Sequence, residues 1–146
     1  MTTAELTALI QGDATALQLA QAGSDDACAS RCREIADPVP YQRFITELTI
    51  LSLYDDPTAA EAVMVKIETV AQSNPVVARV LKWLQPSAPG IDAGDARVRT
   101  LLTASTAQGG IGLTTEQAQP ILDCAAQQQN ITGRDVAACG LFNPGA

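Results

Sequence analysis

The sequence predicts an all-α fold, a small multi-helix bundle with a smaller C-terminal helical unit and at most short extended pieces. Of its 146 residues, 47% are hydrophobic but only 3% are aromatic. Much of the apolar content is alanine, which suits closely packed helices better than a sheet. Capping residues and prolines mark helix starts along the chain, and apolar residues recur between them at helical spacing.

The first quarter of the chain predicts three short helices. Thr2 and Glu5 form a capping box at the start of the first helix. Asp13 caps the second helix and Ser24 caps the third. The sequence DPVP at residues 37–40 cannot be helical, because a residue before a proline is pushed toward extended geometry. It marks the first joint of the chain.

The next stretch combines two kinds of signal. Residues 41–54 contain β-branched residues as well as apolar residues at helical spacing, which favours a short extended entry followed by a helix. Residues 55–57 read DDP, an acidic cap followed by a proline, and predict a helix that runs to about residue 72.

The sequence NPVVARVLKWLQP is the most densely apolar segment and contains the only tryptophan. Asn74 is a good N-cap, Pro75 fits the first helical position, and Pro86 prevents continuation of the helix. We expect this central helix to be covered by other helices on most of its surface. We interpret Trp83, near its end, as a packing anchor between two units. The predicted buried stripe is formed by Val76, Val77, Val80, Leu81 and Leu84.

The stretch QPSAPGIDAG is the longest loop-like segment and predicts a boundary between an N-terminal helical bundle (1–86) and a C-terminal helical subdomain (87–146), which can also pack as one domain. Beyond it, three further helices are predicted. Pro120 lies inside the second of them and is expected to bend it. The tail LFNPGA is expected to be loosely held or docked on a neighbour. The caps of these helices are Asp92 or Asp95, Thr114 with Gln117, and Thr132 with Asp135.

The charge balance limits the partners of the chain. Nine basic and sixteen acidic residues give a formal net charge of -7, which argues against binding to a nucleic-acid backbone. No run approaches the roughly 18 apolar residues of a transmembrane helix, and the first residues lack a signal peptide. We therefore expect a soluble protein that is made in the cytoplasm and has no membrane partner.

The chain contains no histidine, and this excludes the commonest general base, nucleophile partner and metal ligand together. The remaining candidates are carboxylate pairs, and these lie at predicted helix starts where capping and the helix dipole explain them. The glycine-rich turn at residues 109–112 lacks the lysine of a phosphate loop. We expect a protein that is not an enzyme and has no cofactor.

The cysteines allow three interpretations. Cys28 and Cys32 lie one helical turn apart on a predicted core face, which favours buried thiols for these two and for Cys124 and Cys139. A zinc site built from all four is conceivable, although the spacing matches none of the usual pairs. Disulfides from Cys28 or Cys32 to Cys124 or Cys139, or to another subunit, are the third interpretation.

Two blocks carry a resemblance to a known group of proteins. One is TAELTALIQGDATALQLAQAGSDDACASRCREIA, and the other is SNPVVARVLKWLQPSAPGIDAGDARVRTLL continuing into LTTEQAQPILDCAAQQQNITGRDVAAC. Together they resemble small, alanine-rich, acidic helical proteins encoded among the virion-structure genes of tailed bacteriophages and prophages. The resemblance implies a virion setting and partners among capsid, neck or tail subunits.

The first functional hypothesis is a non-enzymatic phage structural protein, either a capsid decoration or cement protein or a neck or tail accessory component. It is made in the host cytoplasm, acts through protein contacts and is part of a homo- or hetero-oligomer. The alternatives are an acidic cytoplasmic adaptor or inhibitor of a host protein and, third, a small enzyme or metal protein. The candidate interface residues are Tyr41, Phe44, Tyr54 and Phe142.

Overall fold

The computed structural model describes residues 1–145, and Ala146 lies outside the described part. The described chain is 60% helical, with nine α-helices and two short strand pairs, which confirms the predicted fold class. The helices are α1 (Thr3–Gly12), α2 (Ala14–Gln21), α3 (Asp25–Ile35), α4 (Glu47–Ser52), α5 (Pro57–Ala71), α6 (Pro75–Leu84), α7 (Ala96–Thr103), α8 (Thr115–Cys124) and α9 (Gly133–Ala138). The strands are β1 (Val39–Pro40), β2 (Phe44–Ile45), β3 (Ile91–Asp92) and β4 (Ala126–Gln127), and a 3₁₀ turn covers Thr106–Gln108.

Most predicted helix starts are confirmed by side-chain hydrogen bonds. The capping boxes open α1, α8 and α9 as predicted. Asn74 and Asp56 each cap a helix whose first residue is proline. Asp95, rather than Asp92, caps α7, while Ser24 precedes α3 without a capping side-chain bond. Because a cap joins groups within three residues, local sequence is enough to specify it.

The chain forms two compact units, and each has its own apolar core. Unit 1 comprises residues 1–39 and the described residues from 128 onward, whereas unit 2 comprises residues 40–127. The core of unit 1 contains Leu6, Ile10, Ala16, Ala20, Cys28, Ala29, Cys32, Ala36, Ile131 and Val136. The core of unit 2 contains Ile45, Ile50, Val63, Met64, Ile67, Val77, Leu84, Ile91, Ala93, Leu102, Ile111, Leu113, Ala118, Ile121 and Ala125.

This division differs from the predicted one, which cut the chain after residue 86. Leu84 and Ile91 lie on opposite sides of that cut but are buried in the same core. Strand β3 pairs antiparallel with β2, with Ile45 opposite Ile91. Gly90 has φ +90°, and a Cβ there would lie 2.6 Å from the carbonyl oxygen of Ile45. The loop-like stretch is therefore an internal part of unit 2.

In unit 1, α9 packs against α3 although a long stretch of chain separates them. The guanidinium of Arg33 in α3 donates to the carbonyl oxygen of Ile131, just before α9. A Cβ on Gly133 would lie 2.2 Å from Oδ1 of Asp26, so a larger residue at the first position of α9 would require the Asp26 side chain to move. The C-terminal segment thus completes the core that the N-terminal helices begin.

The C-terminal end of α8 is held by donors from elsewhere in unit 2. Arg99 donates to the carbonyl oxygen of Leu122 over 3.0 Å. Arg43 and the Tyr41 hydroxyl both donate to the carbonyl oxygen of Cys124, over 2.6 and 3.2 Å. These bonds satisfy carbonyls that have no partner inside the helix, and the two cations oppose the negative end of the helix dipole. Pro120 lies inside α8, as predicted.

Asp13 caps α2 and also pairs with Arg31 in α3. Its carboxylate accepts from the Ala16 N–H over 2.8 Å and from Nε and Nη2 of Arg31 over 3.2 and 2.8 Å. The bond from Arg31, followed by the bond from Ala16, lowers the pKa of Asp13 from 3.8 to about 2. Because the folded chain has the lower pKa, the charged carboxylate stabilises the fold above pH 3.8, and this stabilisation is lost as the pH falls toward about 2.

Replacing Asp13 with Asn keeps a capping acceptor and removes the charge. We expect wild type to melt at a higher temperature than Asp13→Asn near pH 6, and we expect the gap to close between about pH 4 and pH 2. Thermal unfolding followed by circular dichroism over this range measures the gap. The control is Asp37→Asn, which removes an exposed carboxylate. A gap for Asp13→Asn that did not depend on pH would contradict the assignment.

Candidate interaction surface

Unit 2 exposes three large apolar side chains within the short segment formed by β2 and α4. Strand β2 alternates, so that Ile45 enters the core and Phe44 faces solvent. In α4, Ile50 enters the core, while Leu48 and Leu51, one helical turn apart, are 60% and 41% exposed. We refer to Phe44, Leu48 and Leu51 as the β2–α4 apolar residues.

The geometry of this segment follows from its cap. The Thr46 N–H donates to the hydroxyl of Thr49 over 3.3 Å and fixes the start of α4. Ile45 and Ile50 occupy the positions before and four after this cap, where a pair of apolar residues fixes the angle at which the chain enters a helix. Both are buried in the unit 2 core. Leu48 and Leu51 are thereby turned to the outside.

Helix α6 exposes a second apolar face. Val77 and Leu84 are buried, whereas Val76 and Trp83 are 60% and 53% exposed. Val80 is partly buried between these two sides. The expectation that α6 would be covered on most of its surface is therefore wrong, because its apolar residues form two adjoining stripes and only one enters the core.

Trp83 does not fit the predicted role of a packing anchor. Its side chain is more exposed than buried, and it lies on the exposed stripe of α6 rather than beside Leu84 in the core. Arg79 and Lys82 are exposed on the same helix. Tryptophan and arginine are residue types that often dominate the binding energy of protein interfaces. The structure thus places Trp83 among candidate contact residues.

Two of the predicted interface residues are engaged within unit 2. The Tyr54 hydroxyl donates to the carbonyl oxygen of Gln117, and burial raises the pKa of Tyr54 to about 12. The Tyr41 hydroxyl helps to hold the end of α8, as described above. Both side chains are only partly exposed. Their hydroxyls are therefore committed to the fold of unit 2, whereas Phe44 presents its ring to solvent.

Phe142 belongs to unit 1 and lies in the C-terminal tail. Its ring is 61% exposed and covers Gly23, where a Cβ would lie 3.1 Å from the ring. The N–H of Asn143 donates to the carbonyl oxygen of Gln21 over 3.0 Å. The described part of the tail is thus attached to the turn between α2 and α3. A cavity of about 450 Å³ lies beside it, lined mainly by Ala20, Ala22, Gly23, Val136, Leu141 and Phe142.

A second cavity in unit 1, of about 350 Å³, lies beside the start of α1 and the segment before α9. Its carboxylate, Asp135, accepts hydrogen bonds from the N–H and the hydroxyl of Thr132 at 2.8 and 2.7 Å. These bonds lower the pKa of Asp135. The only ionisable side chain of the lining therefore caps α9.

Cys28 and Cys32 are buried, as predicted. Their sulfur atoms are 3.9 Å apart, and the Cys28 thiol donates to the carbonyl oxygen of Ala16 over 3.3 Å. Burial, together with the neighbouring Cys32, raises the pKa of Cys28 to about 12. Burial also raises the pKa of Cys32. The pair therefore consists of neutral thiols inside the unit 1 core.

The other two cysteines are partly exposed, and all four are free thiols in the structure. Cys139 belongs to unit 1 and Cys124 to unit 2. Cys124 donates to the carbonyl oxygen of Ile121 over 3.1 Å. Within residues 1–145, no three side chains of histidine, cysteine, aspartate or glutamate are grouped so that they would hold a metal ion.

Comparison with protein-family models, with curated proteins and with solved structures gave no match. Within the described residues, no helix has both the length and the apolar character needed to cross a membrane. Leu48, Leu51 and Val76 were not singled out as contact residues from the sequence, because their spacing fits a buried helix face equally well.

The exposure of Trp83 predicts a small effect on stability. Replacing Trp83 with Ala is expected to lower the free energy of unfolding by less than about 1 kcal/mol, since most of the side chain already contacts water. Replacing its fully buried neighbour Leu84 with Ala is expected to cost about 2–5 kcal/mol. Urea denaturation of both variants makes the comparison. Equal losses would mean that Trp83 is buried after all.

The burial of the cysteine pair predicts an order of chemical labelling. A soluble maleimide is expected to modify Cys139 well before Cys28 and Cys32, because a thiol with a pKa of about 12 is almost entirely protonated at neutral pH. Mass spectrometry of digests taken over time gives the rates. In urea, which unfolds unit 1 and exposes the buried thiols, all three cysteines are expected to be labelled at similar rates. Fast labelling of Cys28 in the native protein would show that unit 1 opens readily.

Proposed function

We propose that this chain is a non-enzymatic structural protein of a bacteriophage particle that acts through protein–protein contacts. A capsid decoration or cement protein, or a neck or tail accessory component, fits this description. The observation that carries the proposal is the exposure of the β2–α4 apolar residues and of Trp83 on a unit that already has a complete core. Large apolar side chains concentrated on one small unit are typical of surfaces that are covered in an assembly.

Two further observations support the proposal. The sequence blocks described above resemble acidic helical proteins from virion-structure modules. In addition, four carboxylates cap helices, namely those of Asp13, Asp56, Asp95 and Asp135. These four carboxylates contribute to folding. The proposed partners are other virion proteins, and the proposed location is the virion.

The proposal predicts that the protein is present in purified particles. Quantitative mass spectrometry of virions from the phage or prophage that encodes the chain is expected to detect it in a fixed ratio to the major capsid or tail protein. Its absence from particles would overturn the proposal. Incorporation of Leu48→Asp is expected to fall strongly compared with Ser52→Asp, which adds the same charge to a polar exposed position of α4.

The alternative function is an acidic adaptor or inhibitor that occupies a basic groove of a host protein. It requires carboxylates clustered on one face so that their charges act together. The capping carboxylates instead lie at separate helix starts, which favours the structural proposal. A host-lysate pull-down that returned one stoichiometric partner with a basic surface, combined with absence from virions, would favour the alternative.

A further inference from the structure

Helices α5 and α6 form a helical hairpin with a groove along its outer side. Three residues, from Gln72 to Asn74, join the two helices, and the helices pack against each other within unit 2. The groove has a volume of about 430 Å³. It is lined by Glu68 and Ala71 of α5 and Gln72 directly after it, and by Ala78, Leu81 and Lys82 of α6 and Gln85 directly after it.

The floor and the two rims of this groove differ in character. Ala71, Ala78 and Leu81 are partly buried and make an apolar floor. Glu68 on the α5 rim and Lys82 on the α6 rim are exposed. Neither forms a salt bridge with another residue of the described chain, whose ion pairs involve other side chains. The groove therefore has one acidic and one basic rim, and both rim charges are unpaired.

The charges around the groove extend this asymmetry. Helix α6 contains Arg79 and Lys82 and no carboxylate. On α5, Glu61 lies two helical turns before Glu68 on the same side, whereas Lys66 lies on a different side and is partly buried. A surface with an acidic half and a basic half is electrostatically complementary to a second copy of itself rotated by a two-fold axis, because the acidic half of each copy then faces the basic half of the other.

We propose that the α5–α6 groove is a self-association surface whose occupant is a second copy of this chain. A two-fold axis running along the groove exchanges its two rims, so that Glu68 of each copy faces Lys82 of the other. Such an interface is isologous, because the same two contacts occur twice. The apolar floors meet between them, as in the packing of two helical hairpins into a four-helix arrangement.

The inference stands apart from the virion proposal, since it concerns how two copies associate rather than where the protein is located. Each copy has a formal net charge of -7, and copies therefore repel at long range. At about 0.15 M salt this repulsion is screened beyond roughly 8 Å, whereas charges in contact across an interface are screened less. The complementary rims thus decide which faces meet.

Sedimentation velocity over about 10 μM to 1 mM protein tests the proposal on the full chain. We expect a dimer whose population rises with concentration. Glu68→Lys and Lys82→Glu are each expected to raise the dissociation constant about tenfold or more, because each places like charges together at two symmetric contacts. An equimolar mixture of the two variants is expected to recover dimers, since each variant then faces the opposite charge.

Two controls separate local contacts from net charge. Asp123→Lys, on α8, and Arg134→Glu, on α9, make the same changes in charge at exposed positions outside the groove. Both are expected to leave the dissociation constant within about threefold of wild type. Glu68→Lys changes the formal net charge from -7 by two units to a less negative value. This change by itself would weaken the repulsion between copies, so a loss of affinity must come from the contact.

A monomer over the whole concentration range would overturn the proposal and leave the groove to a different partner. A dimer that neither rim variant weakens, or weakened variants that do not recover when mixed, would place the interface elsewhere. Detection in virions tests the structural proposal separately, so either proposal can fail while the other stands.

Discussion

Burial of one face of each helix in the apolar core of its own unit is the constraint on which this protein depends. Its helices are six to fifteen residues long, and isolated helices shorter than about 12–15 residues are marginal in water. Capping side chains fix where each helix begins, but tertiary packing supplies most of the stability. With so few aromatic residues, packing rests on alanine, valine, leucine and isoleucine, which allow helices to approach closely. Two separate cores result, one in each unit.

The parts of the fold that were predictable from the sequence are those determined locally. Helix caps act over a few residues, and the structure has the expected ones at Thr2, Asp13, Asp56 and Asn74. Pro86 likewise acts locally, and α6 ends at Leu84, just before it. The division into units was not predictable in this way. It depends on α9 returning to α3 and on β3 pairing with β2, and these are contacts between distant segments.

The candidate surface, too, could be predicted only in part from the local sequence. Helix α6 has a wide apolar arc, and its sequence does not reveal which half faces the core. The structure buries Val77 and Leu84 and leaves Val76 and Trp83 outside, which turned a predicted packing anchor into a candidate contact residue. Phe44 was predicted only as a candidate interface residue, and the structure leaves it exposed because Ile45, its neighbour in β2, faces the core. The tyrosines were harder to place, since each has an apolar ring and a hydroxyl that seeks a partner.

The discontinuous unit 1 has a consequence for the order of folding during synthesis. Unit 2 is one uninterrupted segment, and all of its core residues have been synthesised before the ribosome reaches residue 128. Unit 1 cannot bury Cys28 and Cys32 against Val136 until the last segment has emerged. Until then its first three helices can pack only against one another, without the side of the core that α9 supplies. Once unit 2 has folded, it shortens the effective loop that unit 1 must close, which lowers the entropic cost of that step.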